Sequence, residues 1–103
     1  MGCVEDPEDE GKEMKVIYKY PISIALNYPV HLNEDAELLS VGIQEDKIVI
    51  WAIVEPDKSF HKLFIFHCYN TGGQHQEKFL GNYFGTVTSS NGIAWHIFVE
   101  VAK

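Results

Sequence analysis

The chain predicts a mainly β fold, a single small antiparallel barrel or sandwich of six to seven strands with at most one short helix. Three observations carry this. Two apolar strands flank a tight turn between Ala36 and Pro56, an Asn91-Gly92 pair marks a hairpin, and the last ten residues alternate apolar and polar with a period of two. A hydrophobic share of 46% over 103 residues suffices for one modest core and leaves nothing for a second domain.

The first thirteen residues hold six acids (Glu5, Asp6, Glu8, Asp9, Glu10, Glu13) against Lys12, and they read as an acidic, disordered leader that deletion should barely affect. Residues 14–103 form the β-rich domain and are nearly neutral. In Met14–Tyr20, Val16, Tyr18 and Tyr20 alternate with Lys15, Ile17 and Lys19, a strand with one wetter face. Pro21 ends that strand or makes it an edge. Ile22, Ile24 and Leu26 alternate again and predict a continuation or a second short strand. Residues 27–35 carry Pro29, Asn33 and two acids, and predict a loop with a turn.

Leu39, Val41 and Ile43 alternate with Ser40, Gly42 and Gln44, so the first strand of the central hairpin should bury one face. Its partner, Ile48–Val54, is apolar on both faces and rich in β-branched residues. It is expected to lie centrally with cover on both sides and Trp51 buried. Residues 61–69 are again apolar on both faces and are expected beside that central strand. Residues 70–81 form the longest polar stretch of the body, in which 74–80 predict one or two helical turns ended by Gly81. Residues 82–88 and 93–101 then pair around Ser89-Ser90-Asn91-Gly92. Ile93, Trp95, Ile97, Val99 and Val101 face the core, and Ala94, His96, Phe98 and Glu100 face away.

Composition excludes several functions. The chain has no arginine, the usual bidentate ligand of phosphate and guanine, so no direct contact with nucleic acid is expected. Cys3 and Cys68 make no disulfide framework and fit a reducing compartment. No apolar run reaches membrane-spanning length and the acidic N-terminus is unlike a signal peptide, so a cytoplasmic protein is expected. Met1-Gly2-Cys3 invites a lipidation reading, but Asp6 stands where the myristoylation pattern needs Ser or Thr.

No catalytic motif emerges. The five histidines and Cys68 lack zinc-ligand spacing, and His67 and Cys68, being adjacent in a strand, point to opposite faces. Cys68 shares its face with Phe64 and Phe66, which predicts an inert buried thiol. No serine sits in a nucleophile elbow, and Gly72-Gly73 lacks the Lys-Ser/Thr of a phosphate loop. Neither a metal nor a cofactor is expected. The best candidate binding surface is Tyr69, Asn70, Thr71, Gly72, Gly73, Gln74 and His75, which offer hydroxyl, amide and imidazole groups on a loop carried by a strand.

The segments Met14-Lys-Val-Ile-Tyr-Lys-Tyr-Pro21, Leu39-Ser-Val41 with Gln44, Trp51-Ala52, Val54-Glu-Pro56, Tyr83-Phe-Gly-Thr86 and Trp95-His-Ile-Phe98 resemble a family of small, uncharacterised phage-encoded proteins. The resemblance implies a short phage accessory protein starting at the equivalent of Met14. It brings no activity, and this chain has Tyr69-Asn-Thr-Gly-Gly-Gln-His75 where relatives tend to show Gly-Thr-Gly-His. The expected function is that of a non-catalytic binder in the host cytoplasm. It would counteract a host defence by engaging a host protein or sequestering a small signalling molecule, and it is expected to form a homo-oligomer. The alternatives are a structural or assembly component of a phage particle and a hydrolase built on His67, His75 and His96.

Overall fold

The computed structural model describes residues 14–25, 27–59, 62–74 and 79–102. They form seven strands: β1 (Val16–Ile22), β2 (Tyr28–Leu32), β3 (Glu37–Gln44), β4 (Lys47–Val54), β5 (Lys62–Asn70), β6 (Asn82–Thr88) and β7 (Ala94–Ala102). All pairings are antiparallel, in a three-stranded sheet of order β1-β4-β3 and a four-stranded sheet of order β2-β5-β7-β6. The sheets face each other as an open sandwich, so of the two architectures expected the barrel is not formed. No helix occurs among the described residues, and most of the segment expected to make a helical turn, 75–78, lies outside them, as does the leader.

The core is what alternation places between the sheets. Ile22, Ile48, Ile50, Ala52 and Val54 of one sheet meet Leu32, Phe64, Phe66, Cys68, Val87 and Ile97 of the other, all buried. Cys68 is therefore the buried thiol expected, and desolvation pushes its pKa up against a smaller lowering effect of the Ala25 backbone.

Five expectations need correction. Of the continuation or second strand expected over 22–26, only Ile22 continues β1 beyond Pro21, 23–25 bend away, and residue 26 lies outside the described residues. Pro21 is tolerated because β1 is an edge strand, which leaves no ladder bond waiting for the missing N–H. The stretch 28–32, expected to be loop, is β2. It is another edge, so Pro29 is again harmless, and Tyr28, Val30 and Leu32 alternate onto the core. Leu39 is not on the core face. The register with β4 shifts between Leu38 and Ser40, so this bulge makes Leu38 the inward residue and turns Leu39 to solvent.

The strand expected beside β4, residues 62–70, instead lies across the core from it in the other sheet. Its two apolar faces are explained by cover from the core on one side and from residues near Phe79 on the other. Finally, β4 is central, but among the described residues no second layer covers its outer face. Val49 is buried there while Trp51 and Ile53 are half-buried.

The β3–β4 turn places Glu45 and Asp46 at φ 51° and 62°, the left-handed pair that a two-residue hairpin turn requires. Asp46 accepts bonds from the Ser90 N–H (3.1 Å) and hydroxyl (2.8 Å), tying this turn to that of the β6–β7 hairpin. In that second hairpin Gly92 takes φ 88° and its N–H donates to the Ser89 carbonyl at 2.9 Å, as the Asn-Gly pair predicts.

Candidate functional site: an aromatic recess on the four-stranded sheet

Pairing on the outer face of β5, β7 and β6 sets two rows of side chains side by side. Tyr69, His96 and Thr86 form one row, and His67, Phe98 and Tyr83 the next. In most sheets of this kind such a face would be wet. Here it is closed at one end by Phe79 and Leu80, which the chain brings back after the β5–β6 connection. The Leu80 N–H donates to the Tyr69 hydroxyl at 3.2 Å, and the Phe79 ring stands edge-on to Tyr69 with centroids 4.7 Å apart. Gly81 makes that return possible, since its φ of 84° and the Val99 carbonyl oxygen 2.5 Å from where a Cβ would sit leave room only for glycine.

The result is a recess of about 370 Å³ walled by Tyr69, Phe79, Tyr83 and Phe98, with Asn70–Gly73 and His96 at its rim. Its rings pack on one another, Phe79 stacked on Phe98 at 5.9 Å and Tyr83 edge-on to Phe98 at 5.6 Å. Tyr69 is only 6% exposed, whereas Phe79 and Tyr83 are 56% and 59% exposed, an unusual amount of aromatic surface to leave in water.

The polar side of the recess is a continuous relay. Thr71 Oγ1 lies 2.7 Å from His96 Nε2, His96 Nδ1 3.0 Å from Thr86 Oγ1, and Thr86 Oγ1 2.5 Å from the Tyr83 hydroxyl. Thr71 is held in place by its own N–H, which donates to the Ala94 carbonyl at 3.2 Å, and by the turn in which the Gly73 N–H reaches the Asn70 carbonyl at 3.3 Å. Gly72 supplies the positive φ of that turn.

Of the residues expected to bind, Tyr69, Asn70, Thr71, Gly72 and Gly73 line this recess. Tyr69 and Asn70 belong to β5 rather than to a loop. Gln74 is exposed and is not among the residues that line this recess, and His75 lies outside the described residues. Sequence reading missed Phe79, Tyr83 and Phe98, and placed His96 only in the hydrolase alternative. One signal was available: Phe98 sits on the face of the last strand assigned to solvent, where a large apolar ring needs a reason.

Of the three histidines of the hydrolase alternative, His75 lies outside the described residues. His67 is 3% exposed and its Nε2 lies 2.8 Å from Glu100 Oε1, while His96 is engaged by two hydroxyls. No group of three His, Cys, Asp or Glu side chains suited to a metal ion occurs among the described residues. Two other recesses are less suited to a ligand. One, near Asn33, Glu34, Asp35 and Asp57, has Lys58 bridging Asp35 (3.7 Å) and Glu55 (3.3 Å), so part of its charge is answered within the protein, and it brings no aromatic ring. The other, along Pro21–Ile24 and Asp46–Ile48, brings no cluster of rings and no relay.

No helix among the described residues is long and apolar enough to cross a membrane. No curated protein and no solved structure matches the chain. A family model does match, over residues 14–103, which is most of the chain and includes every residue of the recess: the protein belongs to the family described as a domain of unknown function, DUF7352.

Proposed function

We propose that this is a small non-catalytic binding protein that holds a small molecule in the recess bounded by Tyr69, Phe79, Tyr83 and Phe98. The observation that carries this reading is the combination of four packed rings with a relay of hydroxyls and imidazole along one side. Ligand sites are mostly apolar with a few convergent polar groups, and a volume near 370 Å³ stands at the small end of their range. In the setting suggested by the resemblance to phage-encoded proteins, the role is to sequester a host signalling molecule in the cytoplasm and so blunt a defence response. Binding of a host protein over the same exposed rings is the variant of this role.

A second reading is favoured by a separate observation. Among the described residues β1 pairs only with β4, so its other edge is open, and the adjoining outer face exposes Ile17 (60%) beside half-buried Trp51 and Ile53. An open edge next to apolar surface suits pairing with a second copy, as in a homo-oligomer or an assembly component. Native mass spectrometry of protein purified from its producing cells tests both. A retained small molecule supports sequestration. A homo-oligomer with no bound molecule supports assembly, and a bare monomer leaves neither standing.

A further inference from the structure

The relay fixes what the recess can offer a ligand, and we infer from it the ligand's class: an uncharged bicyclic heteroaromatic ring carrying a hydrogen-bond donor at one end and an acceptor at the other, as a purine base does. This rests on the binding reading above and narrows it. A neutral imidazole has one N–H and one bare nitrogen, so of the hydroxyls at its two nitrogens one must accept and the other must donate.

With the proton on Nδ1, His96 donates to Thr86; where Thr86 in turn donates to the Tyr83 oxygen, the Tyr83 O–H is left to donate outward, and where Thr86 accepts from Tyr83 as well, Tyr83 is left an acceptor. Thr71 meanwhile spends its proton on Nε2 and can only accept. With the proton on Nε2 every bond reverses: Thr71 becomes the outward donor and Tyr83 the outward acceptor. The tautomer with the proton on Nε2 thus presents one donor and one acceptor, and the other tautomer does the same when Thr86 donates to Tyr83.

Both ends line the recess, and both residues are exposed. Between them lie three hydrogen bonds and one imidazole ring, a span that a bicyclic ring with a hydrogen bond at each end can bridge. The rings of Tyr83, Phe79 and Phe98 supply stacking faces, which every heteroaromatic base can use. Charge argues the same way. Among the described lining residues there is no lysine, and both nitrogens of His96 are engaged by hydroxyls, so no cationic side chain is placed to contact an anion directly.

The test is amide-shift NMR of the isotope-labelled full chain titrated with adenine (donor and acceptor at opposite ends), indole (donor only), quinoline (acceptor only) and inorganic phosphate. Adenine should shift the amides of 70–73, 83–86 and 96–98, with indole and quinoline at least about tenfold weaker and phosphate without effect at these sites. Tyr83→Phe keeps the ring and removes one relay end, and Thr71→Val removes the other. Each should weaken adenine by about fivefold or more at an unchanged melting midpoint, and neither should change indole and quinoline together.

Indole and quinoline binding as well as adenine, adenine binding untouched by both substitutions, or phosphate shifting these same amides would overturn the proposal. Should none of the rings bind while the native protein retains a molecule of other chemistry, the class is wrong and the binding function stands. If the native protein retains nothing and no probe binds, both fail.

Discussion

Gly42 on β3 lies under the Trp51 ring, and a methyl group placed there would come within 2.9 Å of Trp51 Cζ3. The ring is half-buried on a sheet face that no layer of the described residues covers, so Trp51→Ala should cost about 1–3 kcal/mol, below the range of a fully enclosed tryptophan. Gly42→Ala should cost about 1 kcal/mol alone and close to nothing in the Trp51→Ala background, a coupling that urea denaturation of the four-member cycle would reveal. Gly81 permits no such relief. Its conflict is with the Val99 backbone, so Gly81→Ala should cost more than about 2 kcal/mol and loosen Phe79 over the recess, checked by the same denaturation and by the Tyr69 ring resonances.

Titration gives a third residue-scale prediction. Burial raises the Cys68 pKa, and burial followed by the neighbouring Tyr18 raises that of Tyr20. A raised folded-state value means stability is complete below the ordinary thiol and phenol range and is lost as pH climbs through the raised values. Melting midpoints should therefore fall on the alkaline side, and Cys68→Ala should flatten the earlier part of that fall. A profile identical in the variant would remove Cys68 as a contributor.

At the scale of elements, the two sheets come closest where β3 passes β6. Gly85 has its hypothetical Cβ 2.6 Å from Val41 Cγ1, so the absence of a side chain there sets the approach of the two edges. Gly85→Ala should destabilise by about 1–3 kcal/mol, and Val41→Ala should recover part of this by opening the space, measurable by thermal melts of the single and double variants. This contact also shows where sequence reading stops. Six of the seven strands were legible locally: β1, β3 and β7 by a period of two, β4 and β5 as runs apolar on both faces, and β6 as the partner of β7 across the Asn91-Gly92 turn.

The β2 strand was hidden because Pro29 is a breaker anywhere except at an edge, and edge position is a property of the sheet. The Leu39 bulge was hidden because one extra residue leaves local alternation intact and changes only which residues face inward. The site divides in the same way. Residues 69–73 stood out as a polar run on a strand end, whereas Tyr83, His96 and Phe98 reach them only through the β5-β7-β6 pairing, which no local pattern encodes.

For the whole molecule, the open β1 edge leads to a prediction about association. If two copies pair there, Ile17→Lys should shift sedimentation velocity toward the monomer while leaving the recess and its ligand untouched, since Ile17 belongs to the other sheet. A charge on an edge strand is a common natural guard against pairing, and Lys15 and Lys19 already flank that position. The bond from Ser90 to Asp46 has a kinetic meaning. Each of the two hairpins closes over a short turn, which puts their formation in the microsecond range, but their tips are 44 residues apart and can meet only after the sheets have docked. The tie is thus made after the rate-limiting crossing. Ser90→Ala should leave the refolding limb of a chevron nearly unmoved and speed unfolding several-fold, so this small clasp governs how long the native state lasts rather than how fast it is reached.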